Sequence, residues 1–130
     1  MAEESYPDDL KYHREHDWAR VDGDEAVLGI TWFAQDALGE LVHFEALTQG
    51  SHVTKDSSYG EIESVKAVSD VIAPLSGEVL EVNQSAVDAP ETINEDPYGS
   101  GWLVRIRLAD PSEVDSLLDV AGYQQVLAEQ

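Results

Sequence analysis

"GEIESVKAVSDVIAPLSGEVLEV" (residues 60–82) sets one lysine, Lys66, among five carboxylates: Glu61, Glu63, Asp70, Glu78 and Glu81. The whole chain has three lysines. On both sides of Lys66 the residues are short-period and β-branched, and Gly60, Pro74 and Gly77 punctuate them, which is the pattern of strands separated by turns. A hairpin joining 60–66 to 67–73 puts Val65, Lys66 and Ala67 at its tip. A lysine there is exposed and within reach of another protein's active site. Neighbouring acids favour its charged form, the reverse of what a self-contained amine nucleophile needs. On local physics two uses stay open: an ordinary surface lysine on a turn, or a site presented for covalent modification.

Working outward, "HDWARVDGDEAVLGIT" (16–31) reads as two strands joined at Asp22-Gly23-Asp24. "TWFAQDALGE" (31–40) leaves period two: Thr31 is suited to N-cap a short helix whose apolar face is Phe33, Ala34, Ala37 and Leu38, and Gly39 ends it. Segments 40–47, 50–66, 67–84 and 101–109 are further strand-bearing stretches. Many short strands with frequent turn signals predict a mainly β barrel or sandwich. "SAVDAPETINEDPYGSG" (85–101) reads as a long loop of the functional or self-packed kind. The tail predicts helix, with Ser112 as N-cap, Asp115 at the capping-box position and Val114, Leu117 and Leu118 on one face. Gly122 then separates a second helix carrying Tyr123, Val126 and Leu127. "GELVHFEALTQGSHV" (39–53) and "GEVLEVNQSAV" (77–87) share an opening and a turn on either side of Lys66. Two such units folded on each other make a flattened β structure with the joining segment turned at one end.

At 130 residues, 42% of them hydrophobic, the chain predicts one domain with its own core. With 27 acids against 7 bases, its formal charge is −20. Such a field repels nucleic acid and anionic membrane surfaces. It suits life at high salt, where a Debye length of about 3 Å relieves self-repulsion. No cysteine is present, which excludes disulfides, thiolate nucleophiles and Cys-based metal sites. His13, His16, His43 and His52 lack metal-ligand spacing. The acidic "MAEESYPDDL" resembles neither a secretory signal nor a transit peptide, and the expected compartment is the cytoplasm.

The words around Lys66 resemble the lipoylation segment of the glycine cleavage system H-protein family. Supporting words follow in the family's order: "KYHREHDWARVDGDEAVLGIT", "AQDALGELVHFE", "INEDPYGSGWLVRIRL" and "DPSEVDSLLDVAGY". The resemblance covers about residues 10–128. It implies a barrel-sandwich hybrid, lipoyl-domain-like, with a short internal helix and C-terminal helices. The expectation is a single lipoyl-carrier domain over 1–130, its lipoyl hairpin at about 60–73 and its helical tail at about 111–128.

The resemblance also implies a function: a carrier and co-substrate rather than an enzyme, with lipoic acid joined by an amide to Lys66. Its expected partners are a lipoylating enzyme, a pyridoxal-phosphate glycine decarboxylase that loads an aminomethyl group, a tetrahydrofolate-dependent aminomethyltransferase and a flavin (FAD) dihydrolipoyl dehydrogenase. Glu63, Ser64, Val65 and Ala67 are the expected recognition residues around the lysine. Family members fold the loaded arm into a surface cleft, and the matching positions nominate Asp17 and Asp70, with Glu15 and His16, to receive its ammonium. Trp32-Phe33 departs from the family's acidic-polar pair, so the arm is expected to be held differently here. "VHFEALTQG" also lacks a proline the family carries.

Rival readings are an H-like protein relaying lipoate to other enzymes, a lipoyl domain of a 2-oxoacid dehydrogenase, and an unmodified interaction module. The second usually presents Asp-Lys-Ala and lacks "HDW" and "PYGSGW". A biotinyl carrier would place Met beside the lysine. No Ser/His/Asp, Cys/His or phosphate-loop constellation supports catalysis by the chain itself.

Overall fold

Alternation along the strands puts apolar side chains on one face, and two sheets close on each other over that face. The computed structural model describes residues 2–130. A six-stranded sheet has the order β1-β2-β3-β9-β8-β5, and a three-stranded sheet the order β4-β6-β7. Their ranges are β1 Lys11–His13, β2 Asp17–Asp22, β3 Glu25–Ile30, β4 Leu41–Ala46, β5 His52–Val53, β6 Ser58–Ser64, β7 Val68–Ile72, β8 Gly77–Val82 and β9 Val104–Leu108. All named pairs are antiparallel. Leu28, Val79 and Ile106 from the large sheet and Phe44, Ile62 and Val71 from the small one meet in the main core. The mainly β barrel-sandwich architecture agrees with the expectation, and the strands β4 and β8 of the two similar segments lie in different sheets.

The β2–β3 hairpin turns at Gly23, whose φ of +65° suits glycine. It brings Trp18 opposite Gly29. Trp18 is fully buried, and its ring lies where a Cβ on residue 29 would be, 2.5 Å away. The indole Nε1–H donates to the Pro97 carbonyl at 3.0 Å, which fixes the ring there. Leu10, Tyr12, Trp18 and Tyr123 form a second apolar cluster. Tyr12 and Tyr123 stack in it with centroids 4.7 Å apart.

Helix α1 (Trp32–Leu38) begins on the Thr31 cap and ends at Gly39, in the left-handed region at φ +87°. Its buried residue is Gln35, whereas Ala37, expected on the apolar face, is exposed. A polar side chain is tolerated inside because it is satisfied: Gln35 Nε2 donates to the Trp32 carbonyl and Oε1 accepts from Asn94 Nδ2 at 2.9 Å.

The long loop expected at 85–101 contains two short helices, α2 (Gln84–Asp88) and α3 (Glu91–Glu95). Buried asparagines organise them. Asn83 accepts from the Ser85 amide and donates to the Ser100 and Trp102 carbonyls. Asn94 donates to the Gly39 carbonyl and accepts from the Leu41 amide at 2.9 Å. These partners are remote in sequence, so local propensity missed the helices.

In the tail, Pro111–Ser116 is a 3₁₀ helix capped by Asp110, not Ser112; the Asp110 carboxylate accepts from the Ser112 amide. Leu118 then forms a β-bridge with Tyr12, which ends that helix by drawing both backbone groups to β1. Helix α4 (Val120–Ala128) starts on Asp119, which accepts from the Gly122 amide at 2.8 Å. Gly122 therefore lies inside the last helix rather than between two.

Candidate functional site

The β6–β7 hairpin carries Val65, Lys66 and Ala67 at its turn. The Ser64 amide donates to the Ala67 carbonyl at 2.8 Å. Ser64 Oγ accepts from the amides of Lys66 (3.3 Å) and Ala67 (3.1 Å). Ser64 is 3% exposed, so a visiting enzyme meets the turn this hydroxyl shapes and not the hydroxyl itself. The Val65 amide reaches the Glu40 carbonyl, which ties the tip to the chain leaving α1.

Lys66 is exposed, and among the described residues it takes part in no ion pair. The acids nearest in sequence are exposed along the sheet, Glu61 opposite Asp70 and Glu63 opposite Val68. The lysine stem passes Gly39, where a Cβ would sit 3.6 Å from Lys66 Cε. Val65 (74% exposed), Val68 (60%) and Val42 (48%) stand near the same end as an apolar collar. Val42 and Gly39 belong to other segments, and no local signal joined them to the lysine.

The four residues nominated to receive a loaded arm are not gathered in one cleft. Asp70 is exposed on β7. Glu15 is exposed and lines a cleft of about 610 Å³ with His13, Arg14, Lys55, Asp56 and Ile72. His16 has φ +75°, packs its ring on Phe33 at 4.6 Å and hydrogen-bonds Tyr123 Oη through Nδ1 at 2.8 Å. Burial lowers its pKa, against smaller opposing effects of Gln130 and Glu15. The ring of Phe33 thus lies against a histidine, and the Trp32 indole N–H is taken by the Ala2 carbonyl at 2.9 Å.

Asp17 departs furthest from the expectation. It opens β2, paired with His13 and Ile30, and is 2% exposed, with Oδ1 lacking a hydrogen-bond partner. Burial pushes its carboxyl well above the usual carboxylate range; the Ile72 backbone opposes the shift and Glu15 adds to it. Tyr59 Oη is buried and unpartnered too, pushed up by burial and by Asp17. An enclosed acid whose charged form burial disfavours is not an open receptor for an ammonium, and strand pairing on both sides is what turns it inward.

The family model for the glycine cleavage H-protein matches residues 10–130. The chain belongs to this family. A glycine cleavage system H protein of Anaeromyxobacter sp. (strain K) is 51% identical over 124 residues, covering 95% of this chain and 97% of the relative. One from Halorhodospira halophila is 50% identical over 125 residues, covering 95% and 96%. The crystal structure of a glycine cleavage system H protein from Mycobacterium marinum superposes with a TM-score of 0.87 at 40% identity, covering 95% of this chain and 99% of that one. Family members are carriers of the glycine cleavage system, not catalysts, and hold lipoate covalently on a lysine. No helix among the described residues is long and apolar enough to cross a membrane.

Proposed function

We propose that this chain is the lipoyl carrier of a glycine cleavage system and that Lys66 is its attachment site. The observation that carries the reading is the lysine's presentation: a tip residue of a two-strand hairpin, free of ion pairs among the described residues, on a turn organised by Ser64. The residues fit the group. The Nζ is open to an acylating enzyme, the stem has room over Gly39, and amide formation removes a charge that no carboxylate holds in a salt bridge. When bound, lipoate supplies a dithiolane that exchanges between disulfide and dithiol and holds a one-carbon amine on sulfur.

The chain's own part is mechanical and electrostatic. Ser64 holds the turn that aims Lys66 away from the sheet. Glu63 and the small Ala67 flank the amine and, with Val65, form the surface a lipoylating enzyme reads. The exposed valines give its partners an apolar contact around the arm's root. Tethering raises the effective concentration of the carried group at each partner's site. The partners in this reading are a glycine decarboxylase, an aminomethyltransferase and a dihydrolipoyl dehydrogenase. Of the residues nominated for the arm, Asp70 has the exposure to meet a cationic end. Asp17 supports such a role only through the hairpin base beneath which it lies.

Intact mass of the protein, made with an active lipoylating enzyme, tests the proposal. A single lipoyl increment that disappears in Lys66→Arg is expected. Absence of the increment, or its persistence in Lys66→Arg, overturns the assignment.

A further inference from the structure

Two unpaired strand segments face one slot. β4 is an edge of the three-stranded sheet; at its start the Leu41 amide is taken by Asn94 Oδ1, and the length from His43 to Ala46 lines the slot. β8 is paired with β9 along one side. On its other side it pairs with β5 at Gly77 and Glu78 and exchanges bonds through Val79 with Gly50 and Ser51. Beyond that, Glu81 and Val82 have no strand beside them, and among the described residues no backbone hydrogen bond joins them to β4. The space between is a groove of about 460 Å³. Phe44, Ala46, Val82 and Val87 supply its apolar lining, and Glu45 and Glu81 stand on it. Free edges present alternating amides and carbonyls, so the slot combines a backbone template with side-chain pockets, as extended-peptide sites do.

The geometry points to a docking site for an extended, cationic segment of a partner protein, added as a strand along β4. Charge chooses this occupant. A second copy would bring another −20 chain and set its Glu45 against this one, and like charges across a strand pair repel. A lysine- or arginine-bearing strand instead meets Glu45, whose carboxylate has a half-exposed His43 at 3.5 Å as neighbour. Glu81 is shared with Arg105 at 3.2 Å, leaving Glu45 the stronger determinant. The slot also lies where docking helps a carrier. His43 stands opposite Glu63 and Ala46 opposite Gly60, so it runs from about 10 to 20 Å from Lys66 at roughly 3.3 Å per residue. A partner seated there has the lysine beside it. This inference goes beyond the carrier reading and does not require Lys66 to be acylated.

The test uses the full unmodified chain, ¹⁵N-labelled, titrated at physiological salt with the blocked peptide Lys-Val-Lys-Val-Lys. Two controls are its alternately N-methylated twin and Glu-Val-Glu-Val-Glu. Shift changes confined to residues 42–47 and 80–84 are expected, with slowed exchange of β4 amides. Both should be absent for the N-methylated and acidic peptides. Glu45→Lys should weaken binding about tenfold, while Glu91→Lys, on α3, should not. No binding, equal binding of the N-methylated twin, shifts spread over the acidic surface, or self-association through the same residues overturns the proposal.

Discussion

Replacing Ser64 by alanine removes one oxygen from beneath the lysine and leaves everything else in place. Three bonds go: those accepted from the Lys66 amide at 3.3 Å and the Ala67 amide at 3.1 Å, and the one the hydroxyl donates to the Ala67 carbonyl at 3.3 Å. At the low end of the usual range, about 0.5 kcal/mol each because all three are long, the native turn loses roughly 1.5–2 kcal/mol. The released amides lie at an exposed tip and can turn to water, so the loss is local. The bond that reports it is the one from the residue-64 amide to the Ala67 carbonyl, at 2.8 Å, which the substitution itself spares. Hydrogen exchange of that amide should accelerate about 10- to 30-fold, since about 1.4 kcal/mol is a factor of ten. Amides in β3 and β9 should keep their protection. Acylation of Lys66 by a lipoylating enzyme should slow in parallel, and Ser64→Thr, which keeps the acceptor, should restore both. Unchanged exchange at residue 64 in Ser64→Ala would refute the claim that this hydroxyl sets the turn.

Other expectations concern the frame. Gly29→Ala drives a methyl into the Trp18 ring at 2.5 Å, and because Pro97 holds that ring it should destabilise the fold by about 1–3 kcal/mol; an unchanged urea midpoint counts against the packing described. Asp17 has its folded pKa raised by burial, so its contribution is full below the unfolded value, about 3.9, and is lost as pH rises through the folded value. Asp17→Asn should therefore gain stability relative to the parent as pH increases, and a pH-independent difference between their urea curves would contradict an enclosed carboxyl with a raised pKa. Finally, a net charge of −20 predicts stability that climbs from dilute to molar salt as repulsion is screened, read as a rising melting temperature in potassium chloride; a flat profile rejects it.

Much of the frame was legible because its signals are local. Asp22-Gly23-Asp24 marks a hairpin turn, Thr31 and Gly39 bracket α1, and alternation around Lys66 marks β6 and β7. Each rests on backbone conformations that a few adjacent residues impose. The reading failed where a side chain's partner is remote. Gln35 is buried because Asn94, 59 residues on, satisfies it; Ala34 and Leu38 pack against the core as expected, while Ala37 is exposed. The segment 84–95 folds into helices around Asn83 and Asn94, while its proline and small residues read as loop. Asp110 rather than Ser112 caps the 3₁₀ helix, two residues earlier than expected, because its carboxylate takes the Ser112 amide.

By itself, then, the sequence determined the strand-rich class, the family and the hairpin that carries Lys66 at its tip, because periodicity, turn chemistry and word order are written in adjacent residues. Tertiary structure alone decided which acids are open and which enclosed, with Asp70 on an exposed strand and Asp17 shut behind paired ones. It also placed Gly39 under the lysine stem and left β4 and β8 unpaired across a slot. Burial and edge exposure are properties of how sheets close on each other, and no run of neighbouring residues encodes them.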